Sequence, residues 1–154
     1  MTPTAFHAEL ATLLPRLRRF VRALVPAPEH ADALLITALE RALASPHERC
    51  AGAALERWLF GAVAQRWRAQ GAATTVAVAD NRAHAAGATA AIEQALAALP
   101  GQQQLLVALV LVDGMGYRQA AAIAGLAPAA LTTELALARA ALAAHLSDHA
   151  RTVP

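Results

Sequence analysis

Between Tyr117 and Leu135 a glycine separates two short helical patterns, and no other stretch of the chain constrains the fold as tightly. The segment reads Tyr-Arg-Gln-Ala-Ala-Ala-Ile-Ala-Gly-Leu-Ala-Pro-Ala-Ala-Leu-Thr-Thr-Glu-Leu, which is the spacing of a helix-turn-helix. Gly125 is expected to take a left-handed turn that residues with a side chain resist. Ala121 would let the two helices approach, and Leu126, Leu131 and Leu135 would pin the second helix to a core. Helices that read DNA from this position show Arg, Lys, Asn or Gln to base edges and phosphates. This one shows Pro128, Ala129, Ala130, Thr132, Thr133 and Glu134 instead. The scaffold is intact while its reading surface is bare.

The rest of the chain favours helices as well. With 57% hydrophobic residues but only 4% aromatic ones, packing must come from leucine, valine and closely approaching alanine-rich helices. A length of 154 residues suits one ordinary domain or two small ones. The longest clean apolar run, Leu105 to Val112, falls well short of the roughly 20 residues of a membrane span, so no membrane partner is expected. The N-terminus lacks the basic-then-apolar order of a signal peptide, and a cytoplasmic location is the expectation. Cys50 is the single cysteine, which excludes a disulfide framework or a cysteine metal site within the chain.

All thirteen basic residues are arginine, and they are unevenly spread. Up to Gly71 there are nine arginines against six acids, a net +3; from Ala90 to Ala150 there are two against four, a net −2. The half that carries the helix-turn-helix is therefore acidic. Because phosphate neutralisation supplies most non-specific DNA affinity, that half is expected to bind DNA weakly by itself.

Periodicity predicts a helix from Ala8 to Leu24, with Pro15 either beginning it or kinking it. A second is expected from about Glu29 to Ala44, ended by Ser45-Pro46, and a third from about Ala51 to Gln70, stopping at Gly71. Residues 72–89 read as a linker, with a short strand possible over Thr74 to Val78. Further helices are expected over Ala90 to Leu99, Gln102 to Val112, Tyr117 to Ala124 and Pro128 to about Leu146, with Asp113-Gly114-Met115-Gly116 as a turn.

This order of segments resembles the bacterial sigma-70 family of transcription factors, in its small extracytoplasmic-function class. Leu14-Pro15-Arg16-Leu17-Arg18-Arg19-Phe20-Val21-Arg22-Ala23-Leu24 is similar to that family's opening helix. Ala31-Asp32-Ala33-Leu34-Leu35-Ile36-Thr37-Ala38-Leu39-Glu40-Arg41-Ala42 sits where the family has its polymerase-docking helix, and Arg57-Trp58-Leu59-Phe60 begins the helix that meets the promoter. Ala95-Leu96-Ala97-Ala98-Leu99-Pro100, Gly116-Tyr117 and Ala121-Ala122-Ile123-Ala124-Gly125 resemble the domain that reads the upstream promoter element. The resemblance implies an all-α protein of two small helical domains. Residues 1–71 would form a sigma2-like three-helix bundle, 72–89 a linker, and 90–150 a sigma4-like helix-turn-helix domain.

It also implies partners and sites. Core RNA polymerase would dock on Asp32, Leu35, Ile36, Thr37 and Glu40. The promoter −10 element would meet Arg57, Trp58, Gln65, Arg66 and Arg68, and the −35 element Arg118, Gln119, Ala130, Thr132, Thr133 and Arg139. An anti-sigma protein is a further expected partner; neither a cofactor nor a catalytic role is implied. Two departures stand out. The family's Asp-Asp-Leu-Val-Gln-Glu is here Asp32-Ala33-Leu34-Leu35-Ile36-Thr37, and its Lys-Ser-Arg is Thr132-Thr133-Glu134, with Glu134 expected to face phosphate. They open a second reading, a sigma-shaped protein that binds an anti-sigma factor without reading DNA.

Other residues carry blander readings. Trp58 fits a core position as well as a base-capturing one. Arg16, Arg18, Arg19 and Arg22 wrap around their helix as either a solvated face or a nucleic-acid contact. His145 and His149 stand four residues apart with Asp148 between them, but no third or fourth metal ligand accompanies them, and a solvated terminal helix is the expectation.

Overall fold

The computed structural model of the protein describes residues 3–44, 53–80 and 88–152, all built from helices and their connections. Cys50, the Ser45-Pro46 stop and the stretch 81–87 of the expected linker lie outside the described residues. The helices are α1 (Pro3–Leu24), α2 (Pro28–Leu43), α3 (Ala53–Asp80), α4 (Ala88–Ala97), α5 (Gly101–Val107, continued by a π-helical stretch Ala108–Val112), α6 (Tyr117–Ala124) and α7 (Pro128–Thr152).

Two breaker residues do less than their type predicts. Pro15 lies inside a continuous α1. It is exposed, so the backbone bond that proline cannot make is lost on the solvent side. Gly71 does not end α3, which runs on to Asp80, and no strand forms over Thr74 to Val78. A single interior glycine costs about 1 kcal/mol of helix stability, and an alanine-rich continuation carries the helix past it. The glycine that does end a helix is Gly125, with φ of +70°. Its N–H donates to Ala122 O at 3.4 Å and that of Leu126 to Ala121 O at 2.9 Å, the paired bonds of a Schellman cap. The expected turn chemistry is thus in place.

The two halves pack on one another. One hydrophobic cluster runs from Leu17, Phe20, Leu55, Leu59 and Phe60 of α1 and α3 into Leu105, Leu106, Leu109, Leu131 and Leu135 of α5 and α7. The Phe20 and Phe60 rings stand 5.1 Å apart at its centre. Trp67 of α3 lies over the bare α-carbon of Gly101, where a Cβ would already touch its ring at 3.6 Å. The buried amide of Gln104 donates from Nε2 to the carbonyl oxygen of Leu24 at 3.0 Å, satisfying an end of α1. Burying a leucine contributes about 2 kcal/mol, so the fully buried Leu105, Leu106 and Leu109 hold the halves together more strongly than any one polar contact could. No single described helix is long and apolar enough to cross a membrane.

Candidate functional site

Three surfaces expected to meet partners can be built from their helices. The first is on α2. Asp32, Ile36 and Glu40 recur at four-residue steps and are exposed, Ile36 to 56%. Thr37 is half-buried and its hydroxyl donates to Ala33 O at 2.8 Å. Leu35 does not belong to this surface: only 5% of it is exposed, and it packs in the core. Its apolar type served the inside of an amphipathic helix.

The second surface is a groove of about 780 Å³ between α2, α3 and α6. Arg57, Trp58, Gln65, Arg66 and Arg68 all line it, so α3 brings the whole expected −10 set together. Arg41 of α2 joins them, and Ala122 and Ile123 of α6 form a further wall. Sequence reasoning missed Arg41, because nothing local marks a residue on α2 as facing α3. Two arginines differ in their state. Arg68 donates from Nη2 to Ala124 O at 2.8 Å and to Gln102 Oε1 at 3.1 Å, while Gln102 Nε2 donates to the same Ala124 O at 3.1 Å. Arg68 therefore caps the carbonyl end of α6, where the helix dipole is negative. The Nε of Arg66 is buried and has no acceptor. Trp58 lines the groove and packs partly against the core.

The third surface is the exposed side of α7 and α6. Ala130, Thr132, Thr133 and Arg139 are exposed, as is Arg118. Both threonine hydroxyls donate back to their own helix, Thr132 to Pro128 O at 3.1 Å and Thr133 to Ala129 O at 3.3 Å. What they turn outward is chiefly methyl. Gln119 is half-buried with its amide nitrogen unpartnered, on the side of α6 that carries Ala122 and Ile123 three and four residues on. Glu134 does not stand free toward phosphate as expected. Its carboxylate accepts a bond from Gln103 Nε2 at 3.1 Å, which turns it toward α5.

A contact that sequence reasoning did not find joins the halves. Arg16 Nη2 donates to Glu56 Oε1 and to Asp113 Oδ2, each at 2.6 Å, and Arg16 Nε donates to Asp113 Oδ1 at 3.2 Å. Its guanidinium carbon also lies 5.6 Å from the centre of the Phe60 ring. The Asp113 side chain is wholly buried, and the bond to it is the main cause that raises the Arg16 pKa above its already high ordinary value. The π-helical stretch delivers Asp113 there: its N–H bonds to Ala108 O at 3.0 Å, one residue wider than an α-helical turn. Arg18, Arg19 and Arg22 of the same run are exposed. His145 and His149 are exposed on the end of α7, and no group of three or more His, Cys, Asp or Glu among the described residues is placed to hold a metal.

With this geometry, residues 10–64 match the sigma2 domain of PhyR and residues 89–142 match sigma-70 region 4. The chain belongs to the sigma-70 family, in its extracytoplasmic-function class. The sigma2 match spans α1, α2 and the first part of α3, and the region 4 match spans α4 to the middle of α7. This sigma-family chain is similar to the sigma factor RpoE of Bartonella quintana, solved in complex with the anti-sigma factor NepR. The TM-score is 0.76 at 25% identity, over 92% of this chain and 96% of that one. The fold is also shared with the anti-anti-sigma factor PhyR of the same organism, solved with NepR, at a TM-score of 0.64 and 18% identity, over 88% of this chain and 48% of that one. No curated protein matches the chain.

Proposed function

We infer that the chain is a sigma-factor-like protein of transcription initiation, which binds core RNA polymerase and directs it to promoter DNA. The observation that carries this reading is the groove on α3, where every residue expected at the −10 element lies together on the helix that begins inside the matched sigma2 stretch. Asp32, Ile36, Thr37 and Glu40 form the polymerase-docking strip, and Leu35 holds it from beneath. Arg57, Arg66 and Arg68 take phosphates of the displaced strand, Gln65 hydrogen-bonds to it, and Trp58 supports an unstacked base. Arg68 spends Nη2 on Ala124 and Gln102, so its other guanidinium nitrogens are the ones that meet phosphate while the halves are packed. At the −35 element Ala130, Thr132 and Thr133 offer apolar contact to thymine methyls, with Arg118, Gln119 and Arg139 on the backbone. The protein acts in the cytoplasm, and its polymerase partner supplies the catalysis.

The test is size-exclusion chromatography of the full chain with core RNA polymerase from its own source. Co-elution is expected, followed by specific retention of promoter DNA by the complex but weak retention by the protein alone. A folded chain that never co-elutes would overturn this reading.

A second reading is favoured by the bare face of α7, whose threonine hydroxyls are engaged within the helix. In it the chain binds an anti-sigma protein and does not read DNA. The similarity to two NepR-bound proteins supports this, as does the sigma2 match being to the PhyR type. Exposed Ile36 offers apolar contact for an amphipathic helix. Co-elution with a NepR-like protein, together with none with polymerase, would select it.

A further inference from the structure

We propose that the groove between α2, α3 and α6 is a binding site for a free nucleoside 5′-triphosphate, complete only while the two halves are packed together. Among the described residues four arginines line it, Arg41 from α2 and Arg57, Arg66 and Arg68 from α3, and no acidic side chain does. Guanidinium groups gathered without a counter-charge repel one another, and a phosphate chain relieves this through paired N–H bonds that match its oxygens. The volume of about 780 Å³ is that of a small-molecule site, within the range of about 300–1,000 Å³.

A further observation points to an anion. Arg66, in the groove lining, keeps a buried Nε donor without an acceptor. A buried donor is under pressure to find a partner, and a phosphate group supplies the acceptor. The apolar part of the lining suits a base: Trp58 gives a ring edge or face, and Ala38, Ala62 and Ile123 give a dry floor.

The α6 wall separates this ligand from a long strand. Ala122 and Ile123 belong to the other half of the molecule and wall the groove on one side, which favours a compact ligand. A short polyphosphate fits inside that boundary. Because its partners come from both halves, a bound triphosphate favours their packed arrangement by mass action. It also occupies Arg57 and Arg66, so it competes with strand binding; that competition rests on the function proposed above, whereas the binding itself does not.

The experiment titrates the full-length protein with a fluorescent ATP analogue carrying a methylanthraniloyl group on its ribose, read by anisotropy at low salt. Saturable binding is expected, with Arg41→Ala and Arg66→Ala each weakening it about tenfold, the loss of one charge-assisted contact. Arg22→Ala, exposed on α1 and outside the groove lining, should leave it unchanged, and circular dichroism checks that each variant is folded. ATP and GTP should displace the analogue, while inorganic triphosphate does so less well if the base is bound. No saturation by about 1 mM would overturn the proposal. Equal weakening by Arg22→Ala would do so too, as diffuse charge attraction. A ten-nucleotide single-stranded DNA that binds while ATP fails to displace the analogue would make the groove a strand site only, with the same result. Polymerase co-elution measured in parallel keeps the two ideas apart: co-elution without nucleotide binding sinks this inference alone.

Discussion

The groove on α3 and the outer face of α7 are the two surfaces proposed to meet DNA, and they are chemically opposite. Four arginines among the described residues line the groove, and one of them keeps a buried donor without an acceptor. The α7 face has exposed alanines and two threonines whose hydroxyls are spent on their own helix. The helix-turn-helix skeleton depends on a left-handed glycine and a few buried leucines, and not on the side chains of the outer α7 face. Scaffold and reading surface can therefore diverge, and here the capacity to hold phosphate is concentrated in the first half.

The largest expected effect tests what holds these two regions in one body. Arg16→Ala leaves the buried Asp113 carboxylate without its partner and should lower unfolding free energy by about 3 kcal/mol, measured by urea denaturation. A loss under about 1 kcal/mol would mean that the shared core alone joins the halves. Next comes the contrast in charge. The triple change Arg57→Ala, Arg66→Ala and Arg68→Ala should weaken single-stranded DNA binding by the polymerase complex and reduce its salt slope by about 2. Replacing Arg118 and Arg139 should change the slope by less, and equal slopes from both sets would erase the contrast.

Smaller effects sharpen it. Gly125→Ala places a Cβ at φ of +70°, where nothing crowds it within 4 Å, so the cost is conformational alone. About 1 kcal/mol of stability should be lost in thermal unfolding. Smallest is Glu134→Arg. Since Glu134 accepts from Gln103, the exchange should cost roughly 0.5–1.5 kcal/mol for one hydrogen bond and raise duplex DNA affinity little in gel shifts. A steeper salt dependence by about 0.9 would show that an arginine there does reach phosphate.

How far each surface could be read from sequence follows the range of the interaction that makes it. The Asp32, Ile36 and Glu40 strip needs only helical spacing, yet the same spacing placed Leu35 on the wrong side, because an apolar residue serves a core and an interface equally well. The α3 set came from one helix and is found together. Arg41 joins it across a helix pair, and Arg68 is diverted to Ala124, a residue fifty-six positions away. Gly71 and Gly125 are the same residue type, but only Gly125 sits where the chain must turn left-handed, while Gly71 lies in an unbroken helix.

Apart from the run of α3 past Gly71, the helices, the turn at Gly125 and the unequal charge of the halves were determined by sequence alone, because each depends on neighbours within a few residues or on a count. The tertiary structure decided which arginines are free. Arg16 and Asp113 are ninety-seven residues apart, in segments that read separately as a solvated face and a turn. Only the shared leucine core brings them within hydrogen-bond reach, and burial then turns two ordinary charges into the clasp between the halves.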